Sequence, residues 1–162
     1  MNLVRTLKNY LITMKRLHIN VKVQDLDASV TFYEGLFASK PTVLKPDYAK
    51  WMLDDPLVNF SINLSGEEGG VEHLGIQADT EQERDQLFTR LDQIEGKQFK
   101  EGETVCCYAH STKSWIADPQ GVSWEIFQTH CASAVNKASV ESAVSNVSAE
   151  SAACCDDTCC PS

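Results

Sequence analysis

The sequence has no run of about 18 apolar residues, the shortest that crosses a bilayer as a helix, so no membrane span and no membrane partner are expected. It is also short of cations: 14 Lys and Arg stand against 23 Asp and Glu in 162 residues, a net charge of -9. That balance leaves no basic face for a nucleic acid. The opening stretch from Met1 to Thr13 scatters its charges and has no small-residue cleavage pattern, so a secretory leader is not expected either. Nor do the seven cysteines have the spacing of a disulfide framework. Six of them form three adjacent pairs, Cys106–Cys107, Cys154–Cys155 and Cys159–Cys160, and Cys131 stands alone. Neighbouring thiols bridge each other only with distorted ring geometry. They are read as reduced thiols of a cytoplasmic protein, suited to a soft ligand.

What remains is an ordinary globular composition, 43% hydrophobic and 23% charged, enough for one domain with a real core. Residues 1–14 are expected to form an N-terminal extension, with Met14 as the start of the folded part. Leu17 to Val23 alternates apolar and polar residues as a half-buried strand does. A helix is expected over 28–37, capped by Asp27, with Val30, Tyr33 and Phe37 on its apolar stripe. Strands near 48–53 and 58–64 follow, and then the Gly66 to Gly70 connection. The order recurs: a strand over 72–78, a helix over 81–94 capped by Thr80, and strands near 104–109, 113–117 and 123–128. Trp51, Asp54, Val58 and Ile62 match Trp115, Asp118, Val122 and Ile126 at an offset of 64, whereas His18 matches His73 at 55. The second copy is therefore longer by 64 − 55 = 9 residues between its helix and the Trp115 strand, and Cys106–Cys107 falls in that expansion. This is an α+β chain of tandem βαβββ modules, about 16–65 and 71–129, in a domain spanning 15–130. From 131 to 162 the chain turns rich in Ala and Ser and loses its aromatics. A flexible tail carrying the last two Cys pairs is expected there.

Strand parity assigns faces. Leu17, Ile19, Val21 and Val23 share one face, so His18 points the other way. Leu74, Ile76 and Ala78 leave His73 opposite them, and Trp124 and Ile126 leave Glu125 opposite. Three strands thus turn one potential metal ligand each away from the helix side. Two imidazoles and one carboxylate make the open facial triad of non-haem Fe(II) oxygenases, although Mn(II), Ni(II) or Zn(II) suit the same ligands. Ser61 aligns with Glu125 and is a poor ligand, which leaves positions for water, dioxygen or substrate. Consecutive strand side chains project to opposite faces, so Cys106 and Cys107 need a turn to converge on one thiophilic atom. Lys100 and Lys113 are the nearest cations in sequence. Tyr108, His110 and Lys113 are read either as lining the same loop or as surface residues.

The tandem pattern, the stretch from Asp25 to Tyr33, His73-Leu74-Gly75, and the stretch from Asp118 to Glu125 resemble the vicinal oxygen chelate superfamily, which includes glyoxalase I, extradiol dioxygenases and bleomycin-resistance proteins. The resemblance covers about residues 16–128. Within it, Lys45-Pro46-Asp47-Tyr48-Ala49 and Thr104 to Ala109 with Trp115 are similar to the ArsI-type organoarsenical C–As lyases and the CadI-type cadmium-induced proteins. That resemblance implies a half-barrel metal cleft and an Fe(II)-dependent dioxygenase, with dioxygen as co-substrate, that cleaves the carbon–arsenic bond of trivalent organoarsenicals. It carries the metal positions onto His18, His73 and Glu125, and the arsenic-binding pair onto Cys106 and Cys107. Two other classes stay open: a protein that sequesters cadmium or arsenite without turnover, and a glyoxalase-like isomerase, which Ser61 disfavours. The chain is expected to act as a monomer or homodimer.

Overall fold

A computed structural model describes residues 14–66 and 68–136; the tail pairs Cys154–Cys155 and Cys159–Cys160 lie outside the described residues. The first module runs β1 (Arg16–Val23), α1 (Leu26–Phe37), β2 (Val43–Lys45), β3 (Tyr48–Asp54) and β4 (Leu57–Leu64). The second repeats the order with β5 (Gly70–Ala78), α2 (Glu81–Leu91), β6 (Gln98–Cys106), β7 (Ala109–Ala117) and β8 (Ser123–Ala132). All eight strands form one sheet in the order β2-β3-β4-β1-β5-β8-β7-β6. The modules join where β1 pairs antiparallel with β5, flanked by the parallel pairs β1–β4 and β5–β8. The sheet curls into a half-barrel, with both helices on its convex face.

Each helix packs on its own module. Tyr33 and Phe37 of α1 lie against Phe60 at ring-centroid distances of 4.5 and 5.2 Å, over a core of Val23, Leu26, Ala49, Trp51 and Ile62. Leu87 and Leu91 of α2 pack on Ala78 and Ile126. Burying a side chain of this size contributes about 1.5–3 kcal/mol, which ties each helix to its half of the sheet.

Several details differ from the sequence reading. Asp25, not Asp27, caps α1: its side chain accepts from the backbone N of Ala28 at 2.9 Å. The helix starts earlier because Leu26 is buried in the core, which leaves Asp27 in the first turn, where the helix dipole favours an anion. The helix α2 ends at Leu91 rather than 94. The strand expected over 104–109 is broken at its end, since residues 107–108 form the turn between β6 and β7. The expansion of the second copy lengthens that hairpin: β6 has 9 residues where β2 has 3. The strand β8 carries on through Ala132, four residues past its expected end at 128 and two past the domain boundary expected at 130.

The repeat also slips by one residue in one strand. Trp51 faces Phe60 across β3–β4, whereas Trp115 faces Glu125 across β7–β8. Since Ile62 and Ile126 correspond, Trp51 corresponds to Ile116 and Trp115 to Lys50. Trp51 is accordingly a core residue, fully buried, while Trp115 lines the concave side.

Candidate metal centre and thiol pair

The concave face holds a cavity of about 460 Å³. His18, His73 and Glu125 meet in it, with one ligand atom from each lying within 4.8 Å of the others. Their strands are adjacent, because β5 lies between β1 and β8. The residue that permits this close approach is Gly75, which pairs with His18 on one side and Glu125 on the other. A Cβ on Gly75 would stand 2.4 Å from the Glu125 carbonyl oxygen, so no other residue fits without the strands parting.

Hydrogen bonding aims the ligands. His18 Nδ1 donates to the Asn59 carbonyl oxygen at 3.0 Å, which leaves the Nε2 lone pair of the neutral ring pointing into the cavity. That Nε2 faces His73 Nε2 at 3.1 Å, and both lie 3.5 Å from Glu125 Oε2. Phe127 walls His18 edge-on at 5.2 Å, and Trp115 does the same for His73 at 5.1 Å. Trp115 is itself held by its Nε1, which donates to Glu101 Oε2 at 2.8 Å. A cation bonded to each imidazole nitrogen at about 2.1 Å fits between nitrogens this far apart and reconciles their facing lone pairs. The donor set therefore fits a divalent transition metal.

Glu125 is almost fully buried, yet Lys113 Nζ lies 2.6 Å from its Oε1. Burial alone would raise the carboxyl pKa, but the His73 hydrogen bond and the Lys113 charge bring it down to about 2. Burial lowers His18 to about 4, only partly opposed by Glu125. At neutral pH His18 is thus a neutral imidazole and Glu125 a carboxylate, the states a metal requires of them. Burial works against the Lys113 charge too, but Glu125 and Cys106 outweigh it and its pKa rises.

Cys106 and Cys107 line the same cavity. They sit at a two-residue hairpin turn, Cys106 pairing with Ala109, in which Cys107 and Tyr108 have φ of 55° and 59°. Positive φ at both central positions defines the mirror-image turn that usually takes Asn-Gly. For two residues with side chains it costs about 1–2 kcal/mol each. The strain brings both sulfurs to one side, 3.1 Å apart, as free thiols. That gap is too wide for a disulfide of about 2.0 Å. It suits one atom bonded to both sulfurs at about 2.3 Å, the length of a Zn–S bond. A hydrogen bond from the Cys107 thiol lowers the pKa of Cys106 against the effect of burial, with Lys113 helping. The same contact and burial push Cys107 up. The pair therefore loses its first proton early and its second late.

The first module supplies the opposite wall with Asn20, Tyr48, Lys50, Asn59 and Ser61. Burial raises the Tyr48 pKa and lowers that of Lys50, the latter partly opposed by Cys107. Tyr48 and Lys50 were not singled out from sequence, though alternation with the core residues Ala49 and Trp51 carries the signal. The Asn59 carbonyl leaves no side-chain signal at all. Of the residues left open, Lys113 lines the cavity, Tyr108 bridges to Asp47, and His110 packs beside His130 at 5.4 Å. Lys100 instead pairs with Asp92 at 2.7 Å.

Comparison with known proteins bears on the whole arrangement. The family model described as Glyoxalase/Bleomycin resistance protein/Dioxygenase superfamily matches residues 15–126. A protein of Bacillus sp. (strain MD1) named trivalent organoarsenical cleaving enzyme is 39% identical over 150 residues, 90% of this chain and 92% of its own length. The cadmium-induced protein CadI of Mycobacterium bovis is 33% identical over 115 residues, 70% of this chain and 76% of its own. Among solved structures, homoprotocatechuate 2,3-dioxygenase from Arthrobacter globiformis superposes with a TM-score of 0.56 at 14% identity, over 82% of this chain and 40% of that one, a likeness of fold. No described helix is long and apolar enough to cross a membrane.

Proposed function

The chain belongs to the Glyoxalase/Bleomycin resistance protein/Dioxygenase superfamily, and from that premise we propose that it is an Fe(II)-dependent dioxygenase that cleaves the carbon–arsenic bond of trivalent organoarsenicals such as methylarsenite. The observation that carries this reading is the meeting, in one cavity, of two free sulfurs 3.1 Å apart with the His18, His73 and Glu125 cluster. The Bacillus relative named for organoarsenical cleavage supports the substrate class.

Methylarsenite offers arsenic two exchangeable hydroxyls and one methyl group. Cys106 and Cys107 displace both hydroxyls and leave the As–CH3 bond free to be presented to the metal side of the cavity, a proximity effect. His18, His73 and Glu125 hold iron. When bound, iron(II) supplies activation of dioxygen, which the amino acids cannot provide. Lys113 keeps Glu125 ionised, Asn59 holds the His18 ring in its ligating tautomer, and Trp115 and Phe127 keep water from the histidine rings. Methylarsenite and one dioxygen balance against arsenite and formaldehyde atom for atom.

The test is aerobic incubation of the iron-loaded protein with methylarsenite. Arsenite and formaldehyde in equal amounts are expected; arsenite released equally well without oxygen would sink the dioxygenase reading. The CadI relative favours one further reading, capture of a soft ion by the thiols without turnover. On that reading, His73→Ala leaves every measurable property of the protein toward arsenic unchanged.

A further inference from the structure

The dithiol turn is held from outside its own hairpin. In a two-residue turn the N–H of the first central residue and the C=O of the second have no partner in the strand ladder. Here both are taken up by the segment that follows β8. The Cys107 N–H donates to Asn136 Oδ1 at 3.1 Å, and the Ser133 N–H donates to the Tyr108 carbonyl at 2.7 Å. The Tyr108 side chain is fixed from the other module. Its hydroxyl donates to Asp47 Oδ1 at 2.5 Å, Lys45 Nζ lies 5.2 Å from its ring centre, and Tyr48 stands 5.9 Å away. Two neighbouring side-chain-bearing residues stay at positive φ only where their surroundings over-determine them. Relaxation toward strand geometry would send the two sulfurs to opposite faces.

We propose that Asn136 and Asp47 are positioning residues for the thiol pair: Asn136 through the Cys107 N–H and Asp47 through the Tyr108 hydroxyl, they hold the turn in the one shape that aims both sulfurs into the cavity. This rests on the reading that Cys106 and Cys107 hold trivalent arsenic. Neither residue touches the arsenic, the metal or the bond that breaks. Their contribution is to the bite of the chelate, so their loss weakens capture of arsenic and leaves the reaction of captured arsenic alone.

The experiment uses the full chain with Cys154, Cys155, Cys159 and Cys160 changed to Ser, metal-free, titrated with phenylarsine oxide in the absence of oxygen. The parent is expected to bind one equivalent, and Cys106→Ser to abolish tight binding. Asn136→Ala and Tyr108→Phe are each expected to weaken binding about three- to tenfold, the worth of one hydrogen bond of this kind. Asn136→Asp, which keeps the acceptor, restores it, and thermal midpoints stay close to the parent. In the iron-loaded protein the same variants raise KM for methylarsenite with little change in kcat. Affinity equal to the parent in both Asn136→Ala and Tyr108→Phe overturns the positioning role. A parent that binds no arsenical, or binds it equally well as Cys106→Ser, overturns the assignment of the pair itself.

Discussion

The Tyr108 hydroxyl donates to the Asp47 carboxylate at 2.5 Å, although the two residues lie at opposite ends of the sheet. Asp47 follows β2 and Tyr108 follows β6, the first and last strands in the order. At about 4.8 Å per strand, a flat sheet would hold their hairpins about 30 Å apart. Their contact measures how far the sheet has curled. The curl lets a turn of the second module face the wall of the first, which is why thiols and triad share one cavity.

Gly75→Ala is expected to disturb the triad more than any other single methyl added to β5. The new Cβ meets the Glu125 carbonyl oxygen at 2.4 Å, a backbone atom that cannot swing aside. A loss of at least about 2 kcal/mol in unfolding free energy is expected, in the range for backbone clash in a core. Iron content should fall with it. Denaturant unfolding together with metal analysis checks both, and a variant that keeps its stability and its iron would contradict the packing described.

Lys113→Met removes the partner of a carboxylate that is 2% exposed as a residue. Breaking one side of a buried pair costs on the order of 3–5 kcal/mol, whereas removing both charges costs far less. The single variant should therefore melt well below the parent, and Lys113→Met with Glu125→Gln should recover much of the difference. Equal melting of the single and double variants would count against the ion pair as a structural element.

Acid should destabilise the metal-free protein early. The folded-state pKa of His18 is about 4 against an ordinary 6.5, so the unfolded chain binds a proton between those values that the folded chain refuses. Stability then falls as pH drops through that window, by on the order of 3 kcal/mol in total. Glu125, lowered from 4.5 to about 2, adds a contribution that is complete above 4.5 and is lost as pH falls toward 2. Urea midpoints at pH 7, 5.5 and 4.5 should decline in that order. In His18→Gln the decline between pH 7 and 5 should be shallower, and an unchanged slope there would remove His18 as its source.

The triad and the thiols should separate cleanly. His73→Ala and Glu125→Ala are expected to lose iron and at least about a hundredfold in turnover, yet to bind a trivalent arsenical as the parent does. Cys106→Ser and Cys107→Ser should lose turnover to a similar extent while keeping iron. The magnitude follows from an effective concentration lost when one of two reacting parties is no longer held. Metal analysis and arsenical titration on the same four variants check it. Loss of arsenical binding in the triad variants would mean that the two sets are one site.

Side-chain parity was the legible part of this chain. His18, His73 and Glu125 each alternate with apolar neighbours, and that alternation alone puts them on the concave face. The thiol pair was legible as a need for a turn, but the turn itself was not: Cys107-Tyr108 carries neither the glycine nor the asparagine that marks such turns, because the contacts stabilising it come from Asn136, Ser133 and Asp47, far away in sequence. The three-residue β2 is too short to show a period. Matching Trp51 to Trp115 misled for a related reason. Identical residues can sit one register apart, and one step exchanges core for cavity. Asp25 and Asp27 are equally good caps in isolation, and burial of Leu26 decides between them.

The seam between β1 and β5 has a consequence for how the protein is made. His18 and His73 are 55 residues apart in the chain, and Glu125 arrives later still. None of the three has a second member of the set nearby in sequence, so no short stretch of chain can form the triad. The site comes into being when β8 docks beside β5 and completes the sheet. The triad is thus complete only in the finished sheet, unlike the thiol pair, whose two donors are already neighbours in the chain.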